Sequence, residues 1–313
     1  MLIDAAVTES KGAPFAIKRL ELGELRDDEV LVKVAACGIC HTDLIIRDQW
    51  YPVPLPAVLG HEGAGLVEAV GTAVAKVKPG DHVALSYGSC GTCPNCVVKL
   101  DPDVPLDIVA PFGCGIQTGA GAVLRAFRPE AGSSIAVFGT GTVGLSAIMA
   151  ARIAGCMTIV GVDVRPARLE LAGELGATHV VNAGDSDPVQ AIRETTGGVG
   201  AEFSIDATGS PAVLQQAVYC TGPGGVCGLI GAPPFGTEVS LDMNQILAMG
   251  RSVRGIVEGQ SVPDVFLPRL IELWRQGRFP VERIMTHYAF EQIDRAARDA
   301  EDGTVVKPVL RME

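Results

Sequence analysis

The rhythm of apolar positions changes once along this chain. Between Glu29 and Tyr87 the short β-rich runs EVLVKVAA, GAGLVEAV and DHVALSY are broken by Gly and Pro, which predicts a compact domain of mostly antiparallel strands. From Ser134 onward the apolar runs SIAVFG, MTIVGVD, AEFSIDATG, GGVCGLIGAP and SVRGIVEG alternate with helical patterns such as RPARLELAGELG and SPAVLQQAVYC. Alternation of this kind marks βαβ units and a doubly wound parallel sheet. A last helical pattern, VPDVFLPRLIELWRQG, and a strand-like end, TVVKPVLRM, are expected to pack back on the first domain. The predicted fold is α/β with two domains, residues 1–115 with 257–313 and residues 116–256.

Composition narrows the function. With 313 residues, 48% hydrophobic and 19% charged, the chain can bury two cores. A net charge of −11 without any basic run would repel a nucleic-acid backbone, so a small molecule is the expected partner. No apolar stretch reaches the roughly 18 residues of a membrane span, and MLIDAAVTESKGAPF lacks the basic and apolar blocks of a secretion signal. The expected location is the cytoplasm. Nine cysteines in such a chain point to metal ligands or buried thiols rather than disulfides.

An apolar strand, Ile135 to Phe138, leads into Gly139-Thr140-Gly141-Thr142-Val143-Gly144, and a helical pattern follows. In this setting Gly139 permits the tight turn, Gly141 lets backbone approach a pyrophosphate, and Gly144 allows close helix–strand packing. Asp163 ends the next apolar strand, where a carboxylate accepts from a ribose 2′-hydroxyl and repels a 2′-phosphate. NAD is therefore the expected cofactor, although Arg165 and Arg168 keep NADP open. A glycine turn without a ligand is the plainer alternative.

Three further segments carry chemistry: Cys37-Gly38-Ile39-Cys40-His41-Thr42-Asp43, Gly60-His61-Glu62-Gly63 and Gly113-Cys114-Gly115-Ile116-Gln117-Thr118-Gly119. Cys40, His61 and Cys114 supply the two thiolates and one imidazole of a catalytic zinc site with an open fourth position. Cys37, Cys156, Cys220 and Cys227, like His82, His179 and His287, are expected to be structural.

Together these motifs resemble the medium-chain zinc alcohol dehydrogenases, most of all the benzyl (aryl) alcohol dehydrogenase branch. The resemblance implies a GroES-like, mostly-β catalytic domain beside a Rossmann coenzyme domain, assembled as a homodimer or homotetramer, with SVRGIVEG as a candidate pairing strand. It implies that Cys40, His61 and Cys114 hold zinc, that Glu62 is the acid near the metal, and that Asp43 orients His61. Thr42 matches the hydroxyl that takes the alcohol proton. His41 and Lys307 match contacts to the cofactor pyrophosphate, and Thr118 and Val143 match residues beside the nicotinamide. Trp50 and Tyr51 fall on the pocket rim, and the small Ser86 leaves room for a ring. The expected reaction is reversible oxidation of a benzyl-type or allylic primary alcohol to the aldehyde. The alternatives are a metal-free NADPH quinone or enal reductase and, if residues are truly deleted after Cys96, a non-catalytic thiol redox sensor.

Two departures stand out. Cys90, Cys93 and Cys96 open the family's structural-zinc lobe, but a closed site needs a fourth ligand and Val104 stands where it is expected. Roughly fifty residues are missing before the third catalytic ligand. An omission is the preferred reading over a true deletion, because a deletion removes strands and leaves three thiols without a closed site; a structural zinc is not expected from the ligands present. In addition, Ile45 replaces the histidine that passes the proton to solvent in many relatives.

Overall fold

The computed structural model describes residues 1–86 and 97–312. They divide into two units, Met1–Gly115 with Val262–Leu273 and Val281–Glu313, and Ile116–Ser261 with Trp274–Pro280. Residues 257–261 thus stay with the second unit. Gly259 explains this, since a Cβ there would lie 2.5 Å from the Cα of Gly121.

In the first unit β1 (Leu2–Thr8) pairs antiparallel with β2 (Phe15–Glu21) and the short β4 (Ala57–Val58). A larger sheet runs in the order β14 (Met285–Ala289), β15 (Lys307–Arg311), β3 (Val30–Gly38), β5 (Glu62–Val70), β6 (His82–Leu85) and β7 (Val97–Leu100). Only β14 and β15 are parallel. Val67 of β5 and Val83 of β6 form a buried cluster with Val77 of the connecting loop. Phe15, Ile39, Leu44, Ala296 and Leu310 form a second cluster. Helices α1 (His41–Arg47), α2 (Leu106–Val109), α9 (Pro263–Arg275) as far as Leu273, and α10 (Ile293–Glu301) complete the unit.

β7 follows the apparent gap and still joins the sheet, with Leu85 opposite Val97 and His82 opposite Leu100. β6 thus has β7 as its antiparallel neighbour. Val104, at the fourth-ligand position, is buried. Cys90, Cys93 and Cys96 lie outside the described residues.

The second unit is a parallel sheet in the order β10 (His179–Asn182), β9 (Thr158–Asp163), β8 (Ser134–Phe138), β11 (Ala201–Asp206), β12 (Thr221–Leu229) and β13 (Ser252–Gly255). With it go α3 (Gly115–Gly121), α4 (Thr142–Ala154), α5 (Pro166–Leu175), α6 (Pro188–Thr195), α7 (Pro211–Tyr219) and α8 (Met243–Met249). The order reverses between β8 and β11, and in such sheets ligands bind in the crevice at the carboxyl ends of the strands on either side of the reversal. Among the described residues no helix is long and apolar enough to cross a membrane.

Candidate functional site

In the first unit one buried carboxylate organises two segments. Cys40 precedes α1 with extended backbone, and Asp43 in the first turn reaches back to accept from the Cys40 N–H through Oδ2 at 2.9 Å. Its other oxygen, Oδ1, lies 3.0 Å from His61 Nδ1. A carboxylate on Nδ1 fixes the ring and leaves Nε2 to ligate. His61 enters β5 from Gly60, whose φ of +122° favours glycine.

Cys114 arrives from a different direction. It follows a buried 3₁₀ turn, Ala110–Gly113, pressed against β6: a Cβ on Gly113 would lie 1.9 Å from the Leu85 carbonyl oxygen. Ser86 Oγ donates to the Gly113 carbonyl at 3.1 Å. Cys114 Sγ then stands 3.8 Å from Cys40 Sγ, and the ligand atoms of Cys40, His61, Glu62 and Cys114 all lie within 4.8 Å of one another. Two sulfurs each about 2.3 Å from one tetrahedral ion would be roughly 3.8 Å apart. The donor set and its spacing therefore fit zinc. The trio converges in the chain as it stands, which removes the dependence of Cys114 on an extra segment.

The charges agree with a ligand cluster. Hydrogen bonding with Cys114 holds the Cys40 thiol well below its usual range, against the effect of burial. Burial opposes charge on His61, yet in the metal-free site the Asp43 and Cys40 hydrogen bonds push it up to about 11. Burial also raises Glu62 to about 7, while the Lys307 ammonium pulls the other way. By contrast Cys37 and Cys227 are pushed up to about 12 and Cys156 to about 11, chiefly by burial, as inert thiols are, and Cys220 is raised by the same cause.

Lys307 is placed differently from its expected contact with the cofactor phosphates. It is only 2% exposed, its ammonium meets the Glu62 carboxylate, and it donates to the Ile39 carbonyl at 2.9 Å. Gly38 makes room for this pair, since a Cβ there would fall 2.1 Å from Glu62 Oε2. The remaining candidates sit close by. Thr42 Oγ1 is 3.6 Å from Cys40 Sγ. His41 is exposed, with Trp50 edge-on at 6.3 Å between ring centroids. Trp50 is exposed, Tyr51 half-buried and Ser86 buried. Ile45 is buried in α1 and offers no proton relay.

The second unit builds the nucleotide loop. Gly139 has φ +87°, and a Cβ on Gly144 would lie 1.9 Å from the Gly139 carbonyl oxygen, so both glycines serve the chain's own packing. Gly141 is different. Its backbone is extended, and a Cβ there would meet only Arg168 Nη1, at 4.0 Å. The absent side chain thus leaves open space at the N-terminus of α4, where a pyrophosphate would approach. Arg168 is half-buried, its Nε is enclosed without a hydrogen-bond partner, and burial lowers its pKa. Thr118 and Val143 are brought together because a Cβ on Gly119 would lie 2.0 Å from the Val143 carbonyl oxygen.

A cavity of about 180 Å³ opens between the ends of the strands, with Gly139, Asp163, Val164, Thr208, Val213 and Gln216 among its walls. The last four escaped the sequence reading. For Thr208 the signal is the DATG turn after β11, where Asp206 Oδ1 accepts from the Thr208 N–H at 2.9 Å and its Oγ–H at 2.7 Å.

Comparison with known proteins agrees with both halves. Residues 26–128 match the alcohol dehydrogenase GroES-like domain and residues 142–274 the zinc-binding dehydrogenase domain. Geraniol dehydrogenase of Castellaniella defragrans is 39% identical over 362 aligned residues, spanning 98% of this chain and 96% of that protein. The aligned length exceeds the 313 residues here, so that relative carries residues this chain lacks. The crystal structure of benzyl alcohol dehydrogenase from Acinetobacter calcoaceticus is 42% identical with a TM-score of 0.97, covering 100% of both chains. An alcohol dehydrogenase zinc-binding domain protein from Burkholderia ambifaria is 45% identical with a TM-score of 0.96, over 100% of this chain and 99% of that one.

Proposed function

The chain belongs to the zinc-binding medium-chain alcohol dehydrogenases, and on that premise we propose that it reversibly oxidises benzyl-type or allylic primary alcohols to aldehydes with NAD. The observation that carries the zinc chemistry is the convergence of Cys40, His61 and Cys114, with Asp43 orienting the first two. A metal-free reductase has no use for that set. The substrate class is supported by the names of the relatives, a geraniol and a benzyl alcohol dehydrogenase, and by the small Ser86 beside the ligand segment.

Bound zinc supplies Lewis acidity toward the substrate hydroxyl, and bound NAD supplies the hydride acceptor. Cys40, His61 and Cys114 would hold the metal, as three protein ligands do in catalytic zinc sites. Thr42, at the start of α1 beside Cys40, accepts the alcohol proton. With Ile45 in the relay position, that proton leaves through Thr42 and water rather than an imidazole. Gly141, Arg168 and the α4 N-terminus receive the pyrophosphate, and Asp163 receives the ribose.

The working form we propose is a homodimer or homotetramer joined through β13, the outermost strand of its sheet, whose residues are all exposed. Light scattering after gel filtration tests it. The substrate assignment is tested by comparing kcat/KM for benzyl alcohol, geraniol and ethanol with each cofactor. Preference for the two unsaturated alcohols with NAD is expected; preference for ethanol overturns the substrate class, and preference for NADP overturns the cofactor.

A further inference from the structure

Asp163 is the group on which cofactor choice turns, and its surroundings give a neighbour a specific task. Thr140, the second residue of the glycine loop, is fully buried, and both its N–H and its Oγ–H donate to Asp163 Oδ2 at 2.8 Å. The other oxygen, Oδ1, accepts from the Val164 N–H at 2.8 Å and the Arg165 N–H at 3.0 Å. Three of these four donors are backbone groups; the Thr140 hydroxyl is the one supplied by a side chain. Packing fixes that hydroxyl as well. Its methyl packs beside Gly161 of β9, with Cγ2 at an ordinary contact distance, 3.5 Å, from where a Cβ at Gly161 would stand. Thr140 is fully buried while Asp163 is half-buried and lines the cavity. A ribose therefore arrives on the open side of the carboxylate and does not compete with Thr140.

We propose that Thr140 is a positioning residue for cofactor selection, locking the Asp163 carboxylate toward the cavity so that it accepts from a ribose 2′-hydroxyl and repels a 2′-phosphate. This rests on the NAD assignment made above. Without the hydroxyl, a methyl faces Oδ2 and that oxygen keeps only the Thr140 N–H, so the carboxylate is held less firmly in this orientation.

Thr140→Val keeps the shape and the N–H and removes only the donor. Steady-state kinetics with NAD and NADP should show KM for NAD raised about tenfold, the loss expected for one hydrogen bond to a charged group. The NAD over NADP preference should fall by a similar factor while kcat holds. Thr140→Ser, which keeps the hydroxyl, should match the wild type, and in an Asp163→Asn background Thr140→Val should have no further effect on KM. If Thr140→Val does not fold, Thr140→Ser against Thr140→Ala makes the same comparison. A wild type that prefers NADP overturns the NAD assignment and this proposal with it. A wild type that prefers NAD, with KM and preference unmoved by loss of the hydroxyl, overturns this proposal alone.

Discussion

Replacing Asp43 by Asn should cut zinc affinity while leaving the fold intact. The buried carboxylate serves two ligand segments at once, accepting at 3.0 Å from His61 Nδ1 and at 2.9 Å from the Cys40 N–H. An amide has one acceptor oxygen, so one of these donors would face an NH₂ group instead. Loss of a single hydrogen bond to a charged group costs about 1.5–3 kcal/mol, and removal of such orienting partners weakens metal binding by about 10–100-fold. The two figures agree, because about 1.4 kcal/mol corresponds to tenfold. Competition against a chromophoric chelator measures the affinity, and thermal melts of the metal-free proteins check that folding is retained. If Asp43→Asn bound zinc as tightly as the wild type, the imidazole and the Cys40 backbone would be held by something else, and the assigned role of Asp43 would be wrong.

Other outcomes follow from the same geometry. Without metal, His61 is held protonated, with its pKa pushed up to about 11, so ligation must displace a proton. Zinc affinity should therefore rise with pH from about 6 to about 9, with proton release seen by calorimetry in buffers of different ionisation heat; a pH-independent affinity would contradict this. Gly144→Ala should fail to fold or lose much of its thermal stability, because its Cβ would sit 1.9 Å from the Gly139 carbonyl. Gly141→Ala, with open space around it, should melt as the wild type does and raise KM for NAD by an order of magnitude or so. Equal melting losses in the two variants would show that Gly141 serves packing rather than a cofactor.

Much of this was legible because the chemistry is spelled locally. The glycine loop lies between a strand and a helix, Cys40 and Asp43 share one helix start, and the period change near Ser134 marks where the parallel sheet begins. What stayed hidden depends on residues far apart in sequence. Lys307 and Ile39 are 268 positions apart, and only the pairing of β15 with β3 reveals that the lysine serves Glu62 rather than the surface. The convergence of Cys114 likewise depends on Gly113 lying against Leu85, a contact that spacing cannot show across an apparent gap. Thr140 read as an arbitrary residue of a glycine motif until its two bonds to the end of the next strand were visible.

The central claim is that Cys40, His61 and Cys114 hold a zinc ion needed for alcohol oxidation. The most direct measurement is zinc content by mass spectrometry alongside alcohol-dependent NAD reduction, for the wild type before and after chelation and for Cys40→Ala and His61→Ala. Turnover should disappear with the metal and return when zinc is restored, and the two variants should hold no catalytic zinc and show no turnover. Undiminished oxidation by a zinc-free preparation would contradict the account.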